Sequence, residues 1–559
     1  VLRPSSSVIR PLPFLLPVSF CLALTLGPLI TYRNYFLVWA NLPNQRLNND
    51  ADLVSIANYL NTHDTTDTAV FVSALYYRHP TLAYLARDYN SILWLTQGTS
   101  LAIPENRAAL YLIARSTPLP EEWIKAWDTH LVANPRGPDG VPDFQAYRYA
   151  AGESPPLPDF APLAENFGNY LRLSGYRLTP HADQLLVDLR WHIENVPETT
   201  DLLPYARLYD AWGQVWSQSG GFSYPSEQWS PGDTLLTRLI VPLPAGLPPG
   251  TYTIKIGLYS QQTQINLPRL DGDGLYAGDR AQLPEIRLPG GPAEAVDHFL
   301  ASNPLSAPAQ IQGFEGNLVL LGYSLNPNII RQGERLHLTL YWQARAPLSA
   351  QALTLQLAEQ NLFTGQPVRD TFPFANWSSG QIVTDRYALK IPPDFAPGSA
   401  KLRVNIPGYG SATLTTLEIK LITRDFTAPE AITEVNDSFN HAIALYGYNL
   451  KPGARTTLTL YWKSLTATDA DDTVFVHVLD SSGQIVAQTD APPRGGAYPT
   501  SLWVPGEIIA DNYQFELSSG TYTLEVGLYL PETGERLSVF DTAGNKTGSA
   551  ITLPAFQVP

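Results

Sequence analysis

The 559-residue sequence contains no methionine, a single cysteine and few charges. With Cys21 alone, no disulfide can form within the chain and no cysteine metal cluster is possible, so cysteine pairing does not reveal the redox compartment. A chain of this length that begins Val1-Leu2-Arg3 and lacks Met is expected to be the C-terminal part of a longer product. Basic residues are in deficit, 36 Lys and Arg against 51 Asp and Glu, and the net charge of −15 argues against nucleic acid as a partner. No Gly-x-Ser-x-Gly, His-Glu-x-x-His or Cys/His constellation occurs, and no phosphate loop or dinucleotide fingerprint, so no cofactor or metal is expected. Aromatic residues reach 11 % and hydrophobic ones 44 %, which makes the 49 prolines and 39 glycines loops between packed strands rather than disorder.

What is present is a repeat. The third copy has Leu445-Tyr446-Gly447-Tyr448, Leu458 to Trp462, the turn Asp480 to Gly483, Trp503-Val504-Pro505-Gly506-Glu507, Gly520-Thr521-Tyr522 and Val526-Gly527-Leu528-Tyr529. The first has Leu173 to Leu178, Trp191, Asp210 to Gly213, Trp229-Ser230-Pro231-Gly232-Asp233, Gly250-Thr251-Tyr252 and Ile256-Gly257-Leu258-Tyr259. The middle copy has Gly322-Tyr323, Leu338 to Trp342, Gly365-Gln366 and Trp377-Ser378-Ser379-Gly380, but it lacks the Gly-Leu-Tyr ending, a divergence expected of an interface. Order and spacing are kept, so the chain is an array. Leu458, Leu460 and Trp462 alternate with Thr459 and Tyr461, the period of a half-buried strand, and Asp480 to Gly483 is a hairpin turn. Short strands in units of roughly 100 residues predict antiparallel β-sandwiches, Ig-like or jelly-roll-like.

In chain order, Pro11 to Ile30 is the one long uncharged run, preceded by Arg3 and Arg10 and followed by Tyr32, Tyr35, Phe36 and Trp39. That combination predicts a transmembrane helix in the lipid bilayer, N-terminal end cytoplasmic, with residues after about 40 outside. A cleaved signal peptide and a buried helix are the alternatives. Asp50 or Asp52 can cap a helix bearing Leu53, Ile56, Ala57 and Leu60, and strands Ala69 to Ser73, Ile92 to Leu95 and Leu110 to Ile113 alternate with helices starting at Pro80 and Pro120, which predicts a small α/β domain. The expected units are thus 1–40, a transmembrane and interfacial segment; 41–155, the α/β domain; and β-sandwiches over 156–290, 291–425 and 426–559, with a stiff linker from Gly152 to Pro158.

The exit Tyr35-Phe36-Leu37-Val38-Trp39, the segment Asp52 to Tyr59, the strand Val70 to Ser73 and His79 to Leu85 resemble the C-terminal end of bacterial membrane glycosyltransferases. Those are the protein O-mannosyltransferase and aminoarabinose transferase group, especially Chloroflexi-type forms, and the Gly-Tyr, Tyr-Trp, Trp-x-Pro-Gly and Gly-Leu-Tyr modules resemble units appended to them. The resemblance implies the extracytoplasmic, non-catalytic C-terminal region of an enzyme that uses polyprenyl-phosphate sugar donors, its sandwiches holding acceptor protein or glycan. Its catalytic part is not in this chain, and no catalytic residue carries over. The alternative, from another class, is a membrane-anchored cell-surface structural or adhesion protein that uses the sandwiches as spacers or assembly units. A secreted glycan-cleaving enzyme is third, because no paired acids stand out.

Trp191, Trp342 and Trp462, one per copy on the same strand, are expected in the core. Trp229 and Trp503 lie in loop-like sequence and are the candidate glycan-contact residues; the competing expectation is a loop that caps the sandwich edge. Asp271-Gly272-Asp273-Gly274 lacks the remaining acids of a calcium loop and reads as a turn. Asp233, Glu334 and Glu507 follow Gly in turn positions and are expected to be structural. His79 and His477 are expected to be a helix-entry and a strand residue, and Asn376-Trp377-Ser378 matches a glycosylation acceptor.

Overall fold

The computed structural model of the protein describes residues 15–39, 42, 45, 48–197, 202–221, 224–272, 274, 276–303, 305–306, 311–314, 316–430, 432–531 and 534–559. It is a mainly β, multi-domain chain with several antiparallel sheets.

The expected membrane span, Pro11 to Ile30, gains no support from the described residues. Residues 11–14 lie outside the described ones, and from Leu15–Tyr32 the chain is an 18-residue helix that passes into a π-helical turn, Arg33–Val38. Arg33 ends its apolar run. Among the described residues no helix is long and apolar enough to cross a membrane. Side chains from Leu24 to Trp39 are all exposed, including Leu29, Tyr35, Phe36 and Trp39.

The next unit is a mixed sheet. Strand Thr68–Ala74 runs parallel to Ile92–Thr96 on one side and to Ala108–Ala114 on the other, and Phe144–Tyr149 then pairs antiparallel with Ala108–Ala114. Thr68–Ala74 and Ala108–Ala114 are largely apolar and buried because both faces are covered. Val70, Val72, Leu110, Leu112 and Phe144 face the helix Ala51–Thr62, which contributes Leu53, Ile56 and Ala57 at helical spacing. Phe71, Tyr111, Tyr147 and Tyr149 face the other way, into the core of the first sandwich. Asp50 has φ 56 and makes no side-chain cap; Asp52 is buried, accepting the Leu53 and Ser116 N–H groups at 2.9 and 2.8 Å.

Between these strands the chain makes an excursion that the sequence did not suggest. Gly98, at φ +66, turns where an added Cβ would lie 2.3 Å from the Pro118 carbonyl oxygen, so only glycine fits. Strand Ser100–Ile103 then leaves the mixed sheet and pairs antiparallel with Thr234–Pro242 of the first sandwich. The boundary expected at 155 therefore crosses a shared core, and the linker is tied down too: Trp127 donates its indole N–H to the Pro156 carbonyl at 3.2 Å, and Leu157 packs on the core.

Each sandwich has two sheets around one core. In the first, Ala161–Phe167, Leu171–Pro180, Gln184–Ile193 and Thr234–Pro242 face the sheet of Val215–Gly220, Leu202–Asp210, Gly250–Ser260 and Arg280–Gln282. In the second, Leu318–Asn326, Arg335–Ala344 and Ile382–Lys390 face Gly410–Lys420, Gly398–Ile406, Leu353–Leu357 and Gln360–Gly365, with Ile329–Arg331 as a parallel edge. In the third, Ile508–Glu516, Arg455–Ser464, Ile443–Lys451 and Thr433–Phe439 face Ile485–Ala491, Thr473–Leu479, Gly520–Tyr529 and Ile551–Val558. Trp191, Trp342 and Trp462 are fully buried in the three cores. The Asp turns form as the sequence dictates: Asp210 and Asp480 accept backbone N–H groups two and four residues on, and Gly213 and Gly483 take φ +78 and +80.

The sandwiches touch one another pairwise. Helix Val296–Ser302 inserts Phe299 against Val319, Leu321, Tyr341 and Ile382 on the outer face of the second sandwich, and Arg386 reaches back to the Val215 carbonyl at 2.8 Å. Lys390 and Arg335 meet Asp469 of the third sandwich at 2.8 and 3.2 Å. Tyr276 of the first stacks edge-on with Tyr529 of the third, ring centroids 6.3 Å apart. The units form a closed set rather than a row of spacers.

Candidate functional site

The loops at Trp229, Trp377 and Trp503 are built the same way, although the middle copy has Trp-Ser-Ser-Gly in place of Trp-x-Pro-Gly. A single 3₁₀ turn, Ser226–Gln228, Phe374–Asn376 or Thr500–Leu502, delivers the tryptophan, whose indole N–H donates to a carbonyl five residues earlier. These bonds are Trp229 to Tyr224 at 3.4 Å, Trp377 to Phe372 at 3.0 Å and Trp503 to Tyr498 at 3.0 Å. Trp229 is 5 % and Trp503 2 % exposed, so neither candidate glycan-contact residue presents a ring face to solvent. The acid that follows is a latch. Asp233 accepts from Arg107 of the mixed unit at 3.0 Å, and burial raises its carboxyl above the ordinary value. Glu507 accepts from Arg424, just before the third sandwich, at 2.7 Å and from the Tyr498 hydroxyl at 2.6 Å. Each latch joins a sandwich to the segment that precedes it.

The other singled-out residues have local partners. Glu334 accepts the Arg331 N–H at 2.6 Å, and the His79 ring accepts the Thr81 N–H at 3.4 Å, capping helix Pro80–Leu85. His477 is buried on its strand with Asp490 at 3.8 Å and Glu525 at 3.5 Å. Burial alone would lower its pKa, but the two carboxylates hold it above the ordinary histidine value. Asp271 is exposed and Asp273 lies outside the described residues; among the described residues no group of acids, histidines or cysteines is placed to hold a metal. Asn376 is exposed at the end of its 3₁₀ turn.

The feature that all three sandwiches build together is a cleft of about 850 Å³ at their junction. The first sandwich contributes Trp212, the second Arg331, Arg335, His337 and Arg369, and the third Asp469. Trp212 rides on the hairpin turn whose N–H groups Asp210 accepts, and it is 39 % exposed. The Arg369 guanidinium lies 4.5 Å over its ring. His337 is held below the ordinary histidine value by burial and by Arg335 and Arg369, so it is neutral at neutral pH and can both donate and accept. A larger cleft, about 1000 Å³, lies beside Thr68, Ser91 and Ala108 at the N-terminal ends of the parallel strands, the end opposite to that where open α/β sheets carry ligands.

The loop that carries Arg369 is set by a buried Asp-x-Tyr. Asp385 accepts the Val368 N–H at 2.9 Å and the Tyr387 hydroxyl at 2.7 Å, and burial pushes its carboxyl up to about 7. In the third copy Asp511 accepts the Arg494 N–H at 2.9 Å and the Tyr513 hydroxyl at 2.6 Å. The signal was in the sequence: Asp385 and Tyr387 follow Trp377 at the same spacing as Asp511 and Tyr513 follow Trp503, while the first copy has Thr237 and Leu239 there.

No family model matches the chain, and no curated protein matches it. Among solved structures, dimeric latent PorU from Porphyromonas gingivalis is similar over 75 % of this chain at 11 % identity and a TM-score of 0.15; the chain spans only 35 % of the length of that protein. SGBP-B of a mixed-linkage glucan utilization locus in Bacteroides ovatus, solved with a mixed-linkage heptasaccharide, is similar over 72 % of this chain and 70 % of its own, at 12 % identity and a TM-score of 0.12. An ICAM-5 ectodomain fragment is similar over 83 % and 96 %, at 12 % identity and a TM-score of 0.15. Likeness at this level bears on no site. None of the three is named as a glycosyltransferase, so the expected transferase role gains no support beyond the sequence resemblance.

Proposed function

We propose that this chain is a surface-displayed β-sandwich array that binds a glycan in the cleft between its three sandwiches, which joins the surface role of the alternative class expected from the sequence to the glycan binding expected of the first. The observation that carries this is the convergence of Trp212, His337, Arg369 and Asp469, from three separate sandwiches, on one cleft. A half-exposed indole offers its face to the C–H side of a sugar ring, while planar donors and a carboxylate around it suit hydroxyls. The Phe299 contact, the Arg335 and Lys390 bonds to Asp469 and the Tyr276–Tyr529 contact hold the sandwiches in register, so little ordering is left for binding to oppose. The exposed apolar stretch Leu24 to Trp39 gives the array a means of staying at a lipid surface.

The test is calorimetric titration of the full chain with soluble oligosaccharides of neutral and acidic type, wild type against Trp212→Ala. Saturable binding weakened about tenfold or more by the substitution is expected. Binding of no saccharide, or binding that Trp212→Ala leaves unchanged, overturns the proposal.

A further inference from the structure

The cations of the junction cleft are not equivalent. Arg331 is paired with Glu334 at 2.5 Å and also donates to the Ala497 carbonyl at 3.0 Å. Arg335 and Lys390 share Asp469, at 3.2 and 2.8 Å. Arg369 has no ion pair among the described residues: one face lies on Trp212, and its Nη2 is buried without a hydrogen-bond partner. Asp210 and Asp385 act on it only across a distance. A guanidinium carries five N–H donors in a planar fork, and a buried donor left unpaired is costly.

Its backbone is as telling as its charge. Val368, Arg369 and Asp370 have φ of 53, 50 and 69, three successive left-handed residues without a glycine. The third sandwich makes the same turn, anchored by Asp511 as this one is by Asp385, with Arg494, Gly495 and Gly496. Alignment on the two anchoring bonds puts Arg369 where the third copy has Gly495. A left-handed conformation costs a non-glycine residue of order 1–3 kcal/mol. The second copy therefore places a long cation at a position where glycine is easier, and the side chain points at the cleft.

We propose that the glycan bound in this cleft is acidic, carrying a carboxylate or sulfate, and that Arg369 receives that group while the free side of Trp212 takes the adjoining ring. This rests on the glycan-binding function proposed above. A carboxylate or sulfate in the cleft can accept a charge-assisted N–H···O bond from a guanidinium that has no carboxylate of its own. Arg331 and Arg335 line the same cleft but are matched by Glu334 and Asp469, and His337 is neutral, so Arg369 is the lining arginine left without an ion pair among the described residues.

The experiment uses the full chain with three probes: oligogalacturonate, a neutral cello-oligosaccharide of equal length, and sodium sulfate alone. The variants are Arg369→Gly, which copies the third sandwich and relieves the left-handed residue so that folding is not at stake, and Arg369→Gln. Wild type is expected to prefer oligogalacturonate about tenfold or more over the neutral oligomer, with affinity falling as NaCl rises from about 50 to about 500 mM. Both variants should lose that preference, and Arg369→Gly should melt no lower than wild type. Equal affinity for the neutral and acidic oligomers, unchanged in both variants, overturns the acidic-ligand proposal and leaves the glycan-binding function standing. Sulfate binding as tightly as oligogalacturonate overturns the sugar-borne source of the charge. Binding of neither oligosaccharide overturns the function on which the proposal rests.

Discussion

The middle sandwich and its two flanking copies solve the same packing problem differently. In the flanking copies the Gly of Gly-Leu-Tyr sits opposite an aromatic residue: Gly257 opposite Tyr205, and Gly527 opposite Phe475. Neither glycine has a positive φ; each is needed because the ring lies flat across it, and an added Cβ would come within 2.4 Å of Tyr205 or 2.2 Å of Phe475. The middle copy has Asn405 in the glycine slot and Thr354 opposite, so glycine and aromatic have been lost together. What it has instead is an apolar outer face on its three-stranded sheet, where Val319, Leu321, Tyr341 and Ile382 receive Phe299. The flanking copies cover an exposed sheet face with their own rings, whereas the middle copy covers its face with a neighbour. Loss of the Gly-Leu-Tyr ending thus marks the copy whose outer sheet face is covered by the Phe299 helix.

The largest effect is expected where the middle copy depends on its neighbour. Phe299 is fully buried between the first and second sandwiches, and Phe299→Ala should cost about 3–5 kcal/mol, read as a lower guanidinium midpoint and as separation of one unfolding transition into two. If the midpoint does not move, the middle copy stands alone and the contrast with the flanking copies fails. A smaller effect tests the other side. Gly527→Ala drives a methyl into the Phe475 ring and should cost about 1–3 kcal/mol, whereas Asn405→Ala at the same slot of the middle copy should be close to neutral. Equal costs in thermal melts of the two variants would show that ring-over-glycine packing is not what separates the copies.

How much of this was legible follows from the distance over which each contact acts. Alternation in Leu458, Leu460 and Trp462, and Asp480 bonding its own turn, are local, and both appear as the sequence implies. The glycine in Gly-Leu-Tyr was visible as a repeat, but its reason lies on another strand. Fusion of the mixed unit to the first sandwich hangs on Ser100–Ile103, four residues paired with a strand far along the chain, a signal too short to recognise alone. Trp229 and Trp503 looked like ligand residues because their loops are rich in Pro and Gly; the loops themselves supply the carbonyls that let the indoles be buried. The cleft was not legible because Trp212, Arg369 and Asp469 stand in turns of three different sandwiches, and no periodicity connects them.

The smallest effect concerns one outward slot that the three copies fill differently. Arg207 stands opposite Lys255, Gln356 opposite Arg403, and His477 opposite Glu525. Only the third copy has a titrating group there with two carboxylates beside it, and these raise His477 above its unfolded value while Arg536 opposes them. A histidine whose folded pKa is raised contributes stability that is fully present below the unfolded value, near 6.5, and is lost as pH rises through the folded value. His477→Gln, which installs the residue of the middle copy, should therefore lower the melting temperature below pH 6 and have little effect above pH 8, a difference of about 1 kcal/mol at most for such partly exposed partners. Asp385 complicates the wild-type curve. Its carboxyl is raised to about 7, so its own contribution also declines as pH rises toward that value. The wild-type slope therefore cannot isolate His477, but the difference between wild type and His477→Gln can, because Asp385 is common to both. A difference that is constant from pH 5.5 to 8.5 would mean that the slot is filled for packing alone, as Gln356 fills it in the middle copy.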